Sequence, residues 1–233
     1  MSAASRSPAS PDGREPSHQP VTADGSAPAT RVRRGRPPSA DRRIQIADAA
    51  IQVLAEEGAR GLNHRAIDRW LALPDGSTSY YYPRRLDLLT ATVRRVSELN
   101  IAETEAAHRE MLAEPGPLSA HAFAKRSVEL LLSRLTPPAR PRTIAYFELT
   151  IDGVRNPDHR RIFRHEAKTL WRLSDTIFTR MGAQDPLLAA RAYAAFSLGQ
   201  LFMYTCRPDV RLKKADLIAL FQGYLEQVQS LRR

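Results

Sequence analysis

The sequence predicts an all-α protein, and three observations carry that reading. From Ser39 onward apolar residues recur at intervals of three and four, the period of a helix with one buried face. The gaps between these runs hold helix-starting and helix-stopping residues: Asn-Pro, Asp-Pro, Pro-Gly-Pro and single glycines. No alternating run of useful length marks a strand, and no internal repeat is present. About nine helices are expected, preceded by a disordered N-terminal arm.

Residues 1–38 carry seven of the 17 prolines among Ser, Ala, Gly and Asp. Such a segment cannot bury enough apolar surface to offset its ordering entropy. It ends in Arg31-Val32-Arg33-Arg34-Gly35-Arg36-Pro37-Pro38, a concentration of arginines around one glycine. The first helix follows, with Ile44, Ala47, Ile51 and Leu54 on one face and Gly58 and Gly61 closing it. Asn63 reads as the N-cap of a short second helix, with Leu62 and Ile67 as a hydrophobic staple. Pro74-Asp75-Gly76 interrupts the pattern, and Asp75 is expected to cap a third short helix, about residues 75–82. A longer helix then carries Leu86, Leu89, Val93 and Val96.

The remainder is punctuated as clearly. After Pro115-Gly116-Pro117, the residues Ala120, Phe123, Ala124, Val128, Leu131 and Leu135 face one way. Prolines 137, 138 and 141 force a loop before a helix through Ile144, Phe147 and Ile151. Asn156-Pro157 supplies an N-cap and first helical residue, Gly182 the C′ position, and Asp185-Pro186 the next start. The helix after it is rich in Ala, Ser and Gly, and the last carries Leu217, Phe221, Tyr224, Val228 and Leu231. Small residues on one and an apolar seam on the other suit a four-helix dimer bundle.

The 233 residues are 42% hydrophobic and 26% charged, as in ordinary globular proteins. A net charge of +10 makes an anionic partner a live possibility. A single cysteine, Cys206, excludes an intramolecular disulfide framework and any multi-cysteine metal site, and reads as a buried or interfacial thiol. No apolar run approaches the ~20 residues that span a bilayer. No secretory signal is seen, so no membrane association is expected and the expected compartment is the cytoplasm.

Enzyme signatures are thin: no phosphate-cradling Gly-rich loop, no Gly-x-Ser-x-Gly and no His-Glu-x-x-His. Glu105-Ala106-Ala107-His108 matches the spacing of helical di-iron sites, but these need a second copy, which the chain lacks. A solvated helix face is the preferred reading there. Neither an enzyme nor a metal or cofactor site is expected.

The strongest feature lies across residues 39–82, where a helix, a short capped helix, a tight connection and another short helix lay out a helix-turn-helix. Gly76-Ser77-Thr78-Ser79-Tyr80-Tyr81-Tyr82 is a poor core helix and a suitable groove-reading one. Small hydroxylated residues allow close approach, and tyrosine hydroxyls reach phosphates. On composition alone, a polar loop with aromatic packing is an equal alternative.

The residue order is more specific. Gly76, Tyr80, Tyr81, Tyr82, Arg85, Leu88 and Leu89, following Ile44, Ala47, Leu54, Gly58 and Ile67, resemble the DNA-binding domain of TetR-family (tetracycline-repressor-type) transcriptional regulators. A weaker likeness runs on through Arg155-Asn156-Pro157-Asp158 and the Ala-rich helix before Leu201-Phe202. Asp68, where the family usually has Ala, and Ala72, in place of a common turn glycine, depart from the pattern.

The resemblance implies a DNA-binding domain over residues 39–96 and a ligand-binding and dimerisation domain over 97–233. It implies DNA contacts from Asn63, His64, Arg65, Ser77, Thr78, Ser79, Tyr80, Tyr81 and Arg85, with Tyr82 packed inside. Arg34-Gly35-Arg36-Pro37 resembles the core of an AT-hook, which adds Arg33, Arg34 and Arg36 as minor-groove candidates. In the C-terminal region it implies a hollow bundle for a small inducer, with Phe123, Phe147, Glu148, Trp171, Phe196 and Gln200 as candidate lining and His165 and Arg172 nearby. The expected function is a homodimeric repressor that binds a palindromic DNA operator and is released by a small molecule. A ligand-independent activator or architectural protein is the alternative, and a helical enzyme the third reading.

Overall fold

A computed structural model describes residues 39–113 and 115–231. Among them there are nine α-helices and no strand. In order they are α1 (Ser39–Gly61), α2 (His64–Trp70), α3 (Ser77–Tyr81), α4 (Arg85–Ala113), α5 (Ala120–Ser133), α6 (Arg140–Arg155), α7 (Pro157–Arg180), α8 (Pro186–Cys206) and α9 (Lys214–Val228), with a 3₁₀ turn (Pro208–Val210) before the last.

The helix starts follow local chemistry. Asn63 Oδ1 accepts from Ala66 N at 3.0 Å and caps α2. Asn156 Oδ1 accepts from Asp158 N at 3.1 Å with Pro157 at the first position of α7. Asp185 Oδ1 takes Leu188 N at 2.9 Å with Pro186 opening α8. Gly182, at φ 79°, follows the C-terminus of α7. Each cap satisfies backbone groups that the helix itself leaves unpaired.

Two helix boundaries differ from expectation. Gly58 does not end α1 but breaks it, at φ 68° and ψ −177°, in the left-handed half of the map that glycine tolerates. Asp75 does not cap α3: the N-cap there is Gly76, at φ 86° with no side-chain cap. The donors of that turn go instead to Asp68 on α2. Its carboxylate accepts from Gly76 N at 2.9 Å, Thr78 N at 2.8 Å and Thr78 Oγ1 at 2.6 Å.

Two apolar cores divide the chain. The first joins α1, α2 and Tyr81 of α3 to Leu88, Leu89, Val93 and Val96 in the first half of α4. Ala145 and Leu149 of α6 belong to it as well. The second joins α5 and the end of α7 to α8 and α9. The expected apolar seam of α9 lies inside this second core. Leu217 and Phe221 are fully buried, because α9 packs on α5 and α8 of its own chain. The seam is therefore not an outer face; the exposed large apolar residues of these helices are Leu198, Phe202 and Met203 on α8 and Leu220 on α9.

Candidate nucleic-acid interface and cavity

The two short helices are held rigidly against α1. Arg43 donates to Tyr81 O at 2.8 Å, and its guanidinium lies 5.1 Å from the Tyr82 ring centroid. His64 Nε2 lies 2.7 Å from Tyr82 O, and Arg85 Nε donates to Leu62 O at 3.1 Å. Arg85 also donates to Ala59 O, so its guanidinium closes carbonyls at the end of α1. With Asp68 these bonds fix the angle between α2 and α3, the geometry on which a helix-turn-helix depends.

The sequence-derived DNA candidates separate on this frame. Asn63, Arg65 and Tyr80 are exposed, Tyr80 by 73%, and Ser77 and Ser79 are half-exposed. Thr78 and Tyr81 are buried, Thr78 by its bonds to Asp68 and Tyr81 by packing on the first core, so neither faces outward. Tyr82, expected inside, is half-buried, with its hydroxyl 3.4 Å from Arg43 O. Tyr80 and Tyr81 differ because successive helical side chains project about 100° apart, and Tyr82, the C-cap, leaves the helix at φ −135°. His64 is half-buried and Arg85 exposed, each with its bonding nitrogens on backbone carbonyls of the fold. Arg33, Arg34 and Arg36 lie outside the described residues.

Between the helices of the C-terminal half is a cavity of about 390 Å³. Phe123 of α5, Tyr146 of α6, Trp171 and Leu170 of α7, and Leu198 and Leu201 of α8 form apolar walls. Such a volume, apolar with a few polar groups, is that of a small-molecule site. Of the six residues the sequence suggested as lining, Phe123 and Trp171 do line it. The other four lie elsewhere. Phe147 packs edge-on against Phe202, and Phe196 stacks on Tyr224 at 4.1 Å between ring centroids. Glu148 accepts from Ala59 N at 3.2 Å, and Gln200, half-exposed, is not in the wall. His165 and Arg172 are exposed.

The polar lining was missed from the sequence. His108, expected on a solvated face, is 8% exposed and lines the cavity; burial pushes its pKa down to about 4, opposed by the Leu173 carbonyl. Its Nδ1 has no hydrogen-bond partner. Glu166 is buried with Ser97 Oγ at 2.6 Å and Asn100 Nδ2 at 3.1 Å on its two oxygens. Burial raises its pKa and those two hydrogen bonds oppose the rise. Burial also lifts the Tyr146 phenol to about 12. The Glu105–His108 spacing could have flagged His108, but not that α7 and α5 would cover it. Among the described residues no group of His, Cys, Asp and Glu is arranged to hold a metal ion. Cys206 is exposed in the single chain.

A three-helix unit with an exposed short helix thus adjoins a helical bundle with a cavity. Residues 118–227 match the family model described as tetracyclin repressor-like, C-terminal domain. Among solved structures, a TetR-family regulator from Mesorhizobium loti, itself described as putative, superposes with a TM-score of 0.68 at 14% identity, over 82% of this chain and 96% of that one. A TetR-family member from Streptomyces coelicolor gives 0.62 at 25% identity, over 79% and 98%. The multidrug binding protein EbrR, complexed with imidazole, gives 0.57 at 25%, over 78% and 94%. No curated protein sequence matches the chain. The C-terminal region is thus similar to the tetracyclin repressor-like C-terminal domain, and the chain has the fold of the TetR-family transcriptional regulators. These are transcription factors rather than enzymes. Among the described residues no helix is long and apolar enough to cross a membrane.

Proposed function

We propose that the protein is a homodimeric repressor whose hold on a palindromic operator is released by a small molecule in the cavity. The observation that carries this reading is the position of α6. Thr143 and Tyr146 on it line the cavity, while Ala145 and Leu149 are built into the core of the helix-turn-helix unit. A molecule that displaces Tyr146 acts on a helix that the DNA-binding unit cannot move without. Differential affinity for the two arrangements then becomes coupling, typically ~1–3 kcal/mol.

Asn63, Arg65, Ser77, Ser79 and Tyr80 form the outward surface available to DNA. Leu198, Phe202, Met203 and Leu220 supply the apolar surface for a partner copy. The Arg33, Arg34 and Arg36 arm adds minor-groove attraction beside each half-site. That EbrR is a multidrug binding protein supports a small-molecule effector on the same fold.

Selection of bound duplexes from a random pool tests the proposal. The expected result is an inverted repeat with half-site centres about 34–36 Å apart or a multiple of that. Tyr80→Ala should weaken binding to the selected site by roughly 1–3 kcal/mol with helical content unchanged. Unphased A·T-rich recovery, equal for wild type and Tyr80→Ala, would leave only an architectural role for the arm.

A further inference from the structure

The groups lining the cavity divide into those already satisfied and those waiting for a partner. Glu166 has a donor on each oxygen. Arg134 is bonded to Glu103 at 2.8 Å and to Thr104 at 3.2 Å, and Arg126 is paired with Glu110. Arg191 lies with its guanidinium 5.0 Å from the Trp171 ring centroid and is exposed, so water solvates it. Glu166 is thus buried on neutral donors alone, while the arginines of the wall are paired or exposed. The unsatisfied atoms are neutral ones: Nδ1 of His108, and Oγ of Ser197 beside the Tyr193 hydroxyl. Both residues line the same cavity.

A buried polar atom without a partner costs free energy, and native proteins leave few of them. Burial keeps the His108 ring uncharged at neutral pH, so one ring nitrogen carries the proton and the other accepts. With the proton on Nε2, the unpartnered Nδ1 is the acceptor. We propose that the effector is an uncharged molecule with an apolar, ring-containing body and one hydroxyl or N–H group, which it donates to Nδ1 of His108. An anionic effector would lie buried beside the Glu166 carboxyl, and a cationic one would have to compete with Ser97 and Asn100 for its oxygens; either is costly. The aromatic walls of Phe123, Tyr146, Trp171 and Tyr193 account for the body, and Ser197 offers a second hydrogen bond. The inference rests on reading the cavity as the effector site.

The test measures binding of four aromatic probes to the full chain by calorimetry at neutral pH: naphthol, its methyl ether, naphthoate and ethidium. Naphthol should bind about tenfold more tightly than the ether, which cannot donate, and more tightly than either charged probe. In His108→Phe, which keeps a ring of similar size, naphthol and its ether should bind alike. The comparison within the wild-type protein stands even where that variant fails to fold. Equal binding of naphthol and ether to wild type overturns the His108 contact. Tighter binding of naphthoate or ethidium overturns the uncharged class while leaving the cavity as an effector site. Binding by none of the four overturns both the inference and the reading beneath it.

Discussion

Asp68 is fully buried, yet each of its oxygens holds a donor, and together they bind the turn of the helix-turn-helix to α2. Replacing it by Ala orphans two backbone N–H groups and a threonine hydroxyl, at ~1–3 kcal/mol for each buried group left unpaired. Asp68→Ala should therefore lower stability by about 3 kcal/mol in urea titration, and Asp68→Asn, which keeps one acceptor, by less. His108 is the opposite case, a buried ring that nothing satisfies on one side. Its pKa falls from 6.5 in the unfolded chain to about 4 in the fold. The unfolded chain thus takes up a proton that the folded one refuses, and stability is lost as pH falls through that window. His108→Phe should show a shallower loss over the same window when unfolding midpoints are compared. Neither role was legible in the sequence. Asp68 stood out only as a departure from a family pattern, and His108 lay on a helix whose coverings are distant in the chain.

At the scale of elements, what could be read was what is decided locally. Asn63, Asn156-Pro157, Asp185-Pro186 and Gly182 cap or end helices as their chemistry requires, because cap and helix are neighbours in sequence. Asp75 failed as a cap because Asp68, seven positions earlier, already holds the same donors. The α9 seam failed differently: a period of three and four reveals a buried face but not which helix buries it. The turn between α2 and α3 keeps a local cost. Ala72 sits at φ 50°, where its Cβ meets the following carbonyl at ~1–2 kcal/mol. Glycine removes that cost but gives back roughly 0.5–1 kcal/mol in unfolded-state entropy. Ala72→Gly should therefore raise stability by up to about 1.5 kcal/mol, read as a higher unfolding temperature with DNA affinity unchanged.

In the whole molecule, α4 and α6 serve both cores, and no boundary falls cleanly between the two. α4 runs unbroken from Leu88 and Val93 in the first core to Thr104 and His108 in the cavity wall. α6 is the shorter lever, and Glu148 ties it to α1 at the Gly58 break. The sequence shows each helix; it does not show that one helix has two clients, because its pattern records burial on both faces without naming either neighbour. Glu148 lies outside the cavity and bonds a half-exposed segment of α1, so its loss should leave both the fold and effector affinity for the free protein nearly intact. Its loss should instead loosen the link between them. For Glu148→Ala, operator affinity measured with and without saturating effector should differ by a several-fold smaller ratio than in wild type, against the ~5–150-fold range typical of such coupling. Linkage requires the same shrinkage in effector affinity measured with and without operator. An unchanged ratio in both directions would mean that α4 carries the coupling and that the Glu148 bond serves only to close the broken helix.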